Sequence, residues 1–149
     1  MNDAHASLAA RTISRAGIGR GGGRILVAED DPVVRVALGA LLEGEGFEVV
    51  GLAANGAEAV ALTEHVEPEV VLSDVAMPVM NGLEATRSIK RRYPEVEVVI
   101  LSATGDPAHV AEAHEVGVYR FLNKGTSFAQ IIETVAKARA SRLAPSRLG

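Results

Sequence analysis

Apolar runs and helical patterns alternate five times along the middle of this chain. The runs are Arg24-Ile-Leu-Val-Ala28, Phe47-Glu-Val-Val-Gly-Leu-Ala53, Val70-Val-Leu-Ser-Asp74, Val96-Glu-Val-Val-Ile-Leu-Ser102 and Val118-Tyr-Arg-Phe-Leu122. The first, third and fourth are rich in Val, Ile and Leu with little alternation, which suits parallel strands covered on both faces. The segments between them carry helix starts. Asp31-Pro32 and Asp106-Pro107 each offer an N-cap followed by proline at the first helical position. Asn55-x-x-Glu58 and Ser127-x-x-Gln130 fit the capping-box pattern. Val34, Leu38, Leu41 and Leu42 fall on one helical face before Gly44 and Gly46 close that segment. Residues 83–92 read as a helix with Leu83 and Ile89 inward and Arg87, Lys90, Arg91 and Arg92 outward. Phe128, Ile131, Ile132 and Val135 form the apolar stripe of the last helix. A strict strand–helix order repeated five times predicts an α/β fold, a (βα)₅ parallel sheet with right-handed crossovers and helices on both faces.

The chain has 149 residues, one domain's length. Residues 1–23 end in Gly17-Ile-Gly-Arg-Gly-Gly-Gly23, a flexible-linker composition, with a short helix near residues 6–15 as its one candidate for structure. Residues 143–149 read as a flexible tail, which leaves residues 24–142 as the domain. Apolar residues make up 48% and aromatics only 3%, so aliphatic side chains must fill the core. The absence of cysteine excludes a disulfide framework, a thiolate zinc site and a thiol nucleophile. No apolar run approaches the roughly 18 residues of a membrane span. The N-terminus lacks the apolar centre of a secretory signal, so the chain reads as soluble and cytoplasmic. The net charge of −4 is unevenly placed: +2 on residues 1–23, −10 on residues 24–136 and +4 on residues 137–149. An acidic body is a poor platform for a polyanion, so no direct nucleic-acid binding is expected.

In an open parallel sheet, ligands sit outside the carboxyl ends of the strands, near the switch in strand order. Here the first strand runs into Glu29-Asp30-Asp31, the third ends at Asp74, the fourth at Ser102 and the fifth at Lys124. Carboxylates crowded at one rim repel each other and call for a cation. An all-oxygen donor set favours Mg²⁺, Mn²⁺ or Ca²⁺, and a sparse one suits Mg²⁺. A carboxylate in such a place can act as a nucleophile and form an aspartyl phosphate. That transfer needs little beyond in-line positioning and charge neutralisation, which the cation and Lys124 would supply. Ser102 could donate a hydrogen bond to a phosphoryl oxygen. Asp31 reads as a helix cap rather than a ligand. His5, His65, His109 and His114 are scattered and are assigned no chemistry.

Four stretches together resemble the receiver domain of bacterial two-component response regulators: Ile25-Leu-Val-Ala-Glu-Asp-Asp-Pro32, Leu72-Ser-Asp-Val-Ala-Met-Pro-Val-Met-Asn-Gly-Leu83, Leu101-Ser-Ala103 and Phe121-Leu-Asn-Lys-Gly125. Gly82-Leu-Glu-Ala-Thr-Arg87 resembles the subgroup usually joined to a helix-turn-helix output domain. The resemblance implies a flavodoxin-like sheet with strand order 2-1-3-4-5. It implies Asp74 as the phosphoacceptor, charged by a sensor histidine kinase or a phosphotransfer protein. Mg²⁺ would be held by Asp30 and Asp74, by Glu29 through a water, and by the backbone carbonyl of Ala76. Lys124 and Ser102 would contact the phosphoryl group, and Ser102 and Phe121 would form the switch. The output face would be the fourth helix, fifth strand and fifth helix, about residues 106–142, read by a downstream protein or a second copy.

The sequence departs from that family at three places. Glu29 stands where Asp is common, Ala76 has no side chain to steer a hydrolytic water, and Gly125 stands where proline is common, leaving the Lys124–Gly125 isomer open. Two other readings compete. One is the receiver portion of a DNA-binding transcriptional regulator whose output domain is missing; seven residues after Arg142 are too few for such a module. The other is an Asp-nucleophile phosphatase, a true enzyme, which calls for Asp-x-Asp after the first strand. Glu29-Asp30-Asp31 does not supply it.

Overall fold

The computed structural model describes residues 22–143. The expectations for residues 1–21 and 144–149 therefore lie outside the described residues; within them, Gly23 departs from the flexible reading, being buried with its carbonyl accepting from the Glu48 N–H at 2.9 Å, and Leu143 still belongs to the last helix. Five strands, β1 (Arg24–Ala28), β2 (Glu48–Ala53), β3 (Val70–Ser73), β4 (Glu97–Ser102) and β5 (Arg120–Asn123), form one parallel sheet in the order β2-β1-β3-β4-β5. The helices are α1 (Pro32–Gly44), α2 (Gly56–Val66), α3 (Gly82–Arg92), α4 (Pro107–Val116) and α5 (Phe128–Leu143). The doubly wound α/β fold and its strand order are those expected.

Strand alternation sorts the core into two layers. Leu26, Val71, Val98 and Ile100 pack with Leu83, Ile89, Ala113 and Val116 on the face of α2, α3 and α4. Ile25, Val27, Val70, Leu72, Val99 and Leu101 pack with Leu42, Ile131, Ile132 and Val135 on the face of α1 and α5. Burial on both sides explains why β1, β3 and β4 read as continuous apolar runs. β5 is a sheet edge with exposed or half-buried residues, and it starts two residues later than its apolar pattern suggests.

The caps set the loops around the carboxyl rim. Asp31 accepts from the N–H groups of Val33 and Val34, at 2.9 and 3.3 Å, and starts α1. Asp106 accepts from the Ala108 N–H at 2.9 Å and starts α4. Asn55 caps α2 through the Glu58 N–H, but the Glu58 carboxylate reaches one residue further back than a capping box, to the Ala54 N–H at 2.8 Å. A reciprocal box does form at α3 between Asn81 and Glu84. Ser127 Oγ accepts from the Gln130 N–H at 3.2 Å ahead of α5.

Two side chains depart from the helical-face reading. Leu41 is 46% exposed, while Gly39 and Glu43 are buried, because α1 lies rotated toward β2. Lys90 is half-buried: it donates to the carbonyls of Pro94 and Val96 and pairs with Glu97 at 3.5 Å. At the amino end of the sheet, the Glu69 carboxylate accepts from the Arg24 N–H (2.8 Å), Arg139 Nε (3.2 Å) and Arg142 (3.3 Å), fastening α5 to the base of β1 and β3.

Candidate functional site

At the carboxyl end of the sheet the chain turns sharply out of β1 into α1, and the turn residues are Glu29, Asp30 and Asp31. Arg35, one turn into α1, donates to the backbone carbonyls of Glu29 (2.7 Å) and Asp30 (3.3 Å) and holds that turn. Next to it, β3 ends and Asp74 follows, its N–H bonded to the Ala28 carbonyl at 3.0 Å. Both Glu29 and Asp74 are buried, whereas Asp30 is exposed. One carboxylate oxygen from each of Glu29, Asp30 and Asp74 lies within 4.8 Å of the others. That all-oxygen, triply acidic cluster fits a hard divalent cation such as Mg²⁺.

Lys124 arrives from β5 across the sheet. Its Nζ donates to Glu29 Oε1 at 2.9 Å and to Asp74 Oδ2 at 3.1 Å, bridging two buried carboxylates. The second oxygens are also held: Glu29 Oε2 accepts from the Asp31 N–H at 3.0 Å and Asp74 Oδ1 from the Val75 N–H at 2.7 Å. Burial pushes the Glu29 carboxyl above its ordinary 4.5; the Asp31 N–H and the Lys124 hydrogen bond oppose that, and the Asp74 charge adds to it. For Lys124, burial works against the charged form, but the hydrogen bonds and charges of Glu29 and Asp74 outweigh it and raise its pKa.

Ser102 is buried at the end of β4, with its hydroxyl turned into the following loop. Its Oγ donates to the Thr104 carbonyl at 2.9 Å and accepts from the Thr104 N–H at 3.3 Å. Phe121 on β5 is half-buried and packs on the α2–α3–α4 side of the core. The peptide bond between Lys124 and Gly125 is trans. Ala76 is exposed and lines a cleft of about 460 Å³ with Asp30, Met77, Pro78, Asn81 and His109.

The rim therefore brings Glu29, Asp30, Asp74 and Lys124 together, with Ala76 and Ser102 on elements that border them. Sequence reasoning passed over two residues. Arg35 binds only backbone carbonyls, which no motif announces. His109, which the sequence gives no chemistry, walls the cleft, and its Nδ1 is buried with no hydrogen-bond partner among the described residues. The Asp106-Pro107 cap was the available signal, since it fixes His109 in the first turn of α4.

A doubly wound parallel sheet with an acidic, lysine-bridged rim at its switch point defines a flavodoxin-like fold whose rim fits a divalent cation. Residues 25–136 match the family model for the response regulator receiver domain, and the chain belongs to that family. It is similar to the chemotaxis protein CheY of Thermotoga maritima, 34% identical over 116 residues, which are 78% of this chain and 97% of that protein. It is similar to the transcriptional regulatory protein LnrK of Bacillus subtilis, 38% identical over 113 residues, which are 75% of this chain but 51% of that protein. Among solved structures, a DNA-binding response regulator of the LuxR family from Staphylococcus aureus superposes with a TM-score of 0.75 at 30% identity, covering 78% of this chain and 98% of that one. The CheX–CheY–BeF₃–Mg²⁺ complex from Borrelia burgdorferi gives a TM-score of 0.73 at 25% identity, covering 77% of this chain and 87% of that one.

Proposed function

We propose that this receiver domain accepts a phosphoryl group on Asp74 from the phosphohistidine of a sensor histidine kinase or phosphotransfer protein. The observation that carries the reading is the bridge from Lys124 to both Glu29 and Asp74 at a rim shared with Asp30. A carboxylate oxygen of Asp74 attacks phosphorus, the P–N bond to the donor imidazole breaks, and the imidazole leaves with the bond's electron pair. Glu29, Asp30, Asp74 and the Ala76 carbonyl would hold Mg²⁺, which supplies charge neutralisation at the phosphoryl oxygens. Lys124 holds the acceptor carboxylate and neutralises the group from the opposite side. Ser102 donates its hydroxyl to a phosphoryl oxygen, and Phe121 on the adjacent strand responds. The change is read at α4, β5 and α5, residues 106–142, by a downstream protein or a second copy. The chain catalyses only its own phosphorylation and dephosphorylation. Among the described residues no helix is long and apolar enough to cross a membrane, and the proposed setting is the cytoplasm.

The test is incubation with acetyl phosphate and Mg²⁺ followed by intact-mass measurement. One added phosphoryl group is expected in the wild type, and none in Asp74→Ala or in EDTA. Modification that persists in Asp74→Ala would move the acceptor elsewhere. A second reading, the receiver portion of a DNA-binding regulator, draws support from the transcriptional regulators among its relatives, of which the chain spans about half. The mass of the protein isolated from its native cells separates the two.

A further inference from the structure

The turn between β1 and α1 supplies two of the three carboxylates that gather at the rim, and the two are held differently. Glu29 is buried, and its oxygens have donors in the Asp31 N–H and Lys124. Asp74, the third carboxylate, is likewise held by the Val75 N–H and Lys124. Asp30 is exposed, and among the described residues its carboxylate has neither a hydrogen bond nor an ion pair. Its placement is therefore set by the backbone that carries it.

That backbone is gripped by one residue. The successive carbonyls of Glu29, Asp30 and Asp31 all accept from Arg35: the first two from Nη1, at 2.7 and 3.3 Å, and the last from the Arg35 N–H at 2.8 Å. The bond to Asp31 is the opening bond of α1, which any residue but proline would make. The other two belong to the side chain. Peptide groups are planar, and the Glu29 and Asp30 carbonyls lie in the two planes that flank the Asp30 Cα. Pinning both planes fixes φ and ψ of Asp30, and with them the direction of its Cα–Cβ bond. Nη1 carries two hydrogens, one for each carbonyl. Arg35 is half-buried and pairs with no carboxylate among the described residues, although Glu29, Asp30 and Asp31 all belong to the turn it grips. Its donors are spent on shape.

We propose that Arg35 is a positioning residue for divalent-cation binding: by clamping the Glu29 and Asp30 carbonyls it presents the Asp30 carboxylate to the ion shared with Glu29 and Asp74. The inference rests on the cation reading of the rim and adds the residue that sets its affinity. It also fixes the sign of an effect. A guanidinium near a cation site repels the cation, so charge alone makes removal of Arg35 tighten binding. Geometry makes removal loosen it, because an outer partner that orients a metal ligand is worth about 10- to 100-fold in metal affinity.

The probe is Mn²⁺ alone, added to the full chain and followed by the electron paramagnetic resonance signal of the free ion. Arg35→Ala and Arg35→Met are expected to weaken Mn²⁺ binding about 10- to 100-fold at native circular dichroism. Arg35→Met keeps most of the stem while losing every donor, and it carries the test where Arg35→Ala does not fold. Glu69→Ala, which removes the acceptor of three donors at the opposite end of the sheet, is expected to bind Mn²⁺ as the wild type does. Unchanged or tighter binding in the Arg35 variants would overturn the proposal. So would an equal loss in Glu69→Ala, because the effect would then be one of general stability. A wild type that takes up no Mn²⁺ would instead remove the cation reading itself, which keeps the two failures distinct.

Discussion

The tightest constraint on Asp74 is a missing side chain. Gly82, the first residue of α3, packs against the backbone of Asp74: a Cβ there would stand 1.9 Å from the Asp74 carbonyl oxygen and 2.9 Å from Ser73 Oγ. Gly82 is not in the left-handed region, so alanine meets no backbone penalty and the effect is steric. Reaching even a close C–H···O contact of about 3.3 Å requires roughly 1.4 Å of movement. α3 can back away, which strains the Gly82 N–H bond to the Val75 carbonyl (2.9 Å) and the cap at Asn81. Alternatively the Asp74 backbone retreats and takes its carboxylate from Lys124, now at 3.1 Å. Either route displaces the site by an amount that costs about 10²-fold in rate, and overpacking of this kind costs about 1–3 kcal/mol in stability. Gly82→Ala is therefore expected to slow acetyl phosphate labelling about 100-fold, read by intact mass on samples whose circular dichroism is native. Gly105→Ala is the control, because its Cβ meets nothing within 4 Å. Labelling of Gly82→Ala within threefold of wild type, at an unchanged urea midpoint, would refute the packing argument.

Glu29→Gln removes a buried charge whose carboxyl is raised above 4.5. An acid raised on folding stabilises below its unfolded value and loses that contribution as pH climbs through its folded value, so the wild type should weaken relative to Glu29→Gln from pH 4.5 upward. Without metal, the variant is expected to be about 1 kcal/mol more stable at neutral pH, by urea unfolding. Saturating Mg²⁺ should add about 2.7 kcal/mol to the wild type at a hundredfold excess over Kd and less to the variant; identical pH profiles would count against the burial argument. Glu69→Ala strips three donors of their acceptor at the far end of the sheet and should cost roughly 1–3 kcal/mol, with labelling of Asp74 unchanged within twofold. Val79 is 84% exposed and holds a φ of 71°, with the Met80 N–H bonded to the Pro78 carbonyl across it at 2.7 Å. Such a strained tight turn costs about 1–3 kcal/mol for a β-branched residue, so Val79→Asn should raise the urea midpoint; a fall would show the turn is not strained.

The sheet was legible because burial on both faces imposes a composition that few other settings need. β1 lies where its apolar run places it, and β2, β3 and β4 lie within one residue of theirs. The helix caps at Asp31 and Asp106 were equally plain, since proline after an acid has one structural use at that position. What stayed hidden depends on how elements pack. The exposure of Leu41 follows from the rotation of α1, and the burial of Lys90 follows from carbonyls beyond the end of its own helix. Arg35 and His109 act on the site from helix surfaces whose orientation a linear pattern does not carry. Glu29, Asp30, Asp74 and Lys124 could be found because strand ends in a parallel sheet all open onto one rim, so the topology alone brings them together.

The same rim shows why occupation of Asp74 would travel. The Ser102 hydroxyl has one proton, and it is committed to the Thr104 carbonyl. Donating that proton to a phosphoryl oxygen requires breaking the bond to Thr104, so the β4–α4 turn must give up its tie or the phosphoryl oxygen must go without its donor. The Ser102 carbonyl accepts from the Lys124 N–H at 2.7 Å, and Ser102 pairs with Asn123, two residues beyond Phe121. The hydroxyl, the lysine and the ring thus sit on one hydrogen-bonded strand pair at the edge of the sheet. β5 is exposed or half-buried along its length, so a shift there meets little packing resistance. A phosphoryl group that draws on Ser102 and Lys124 together would therefore move the sheet edge where it is softest, beside the α4–β5–α5 surface proposed for output.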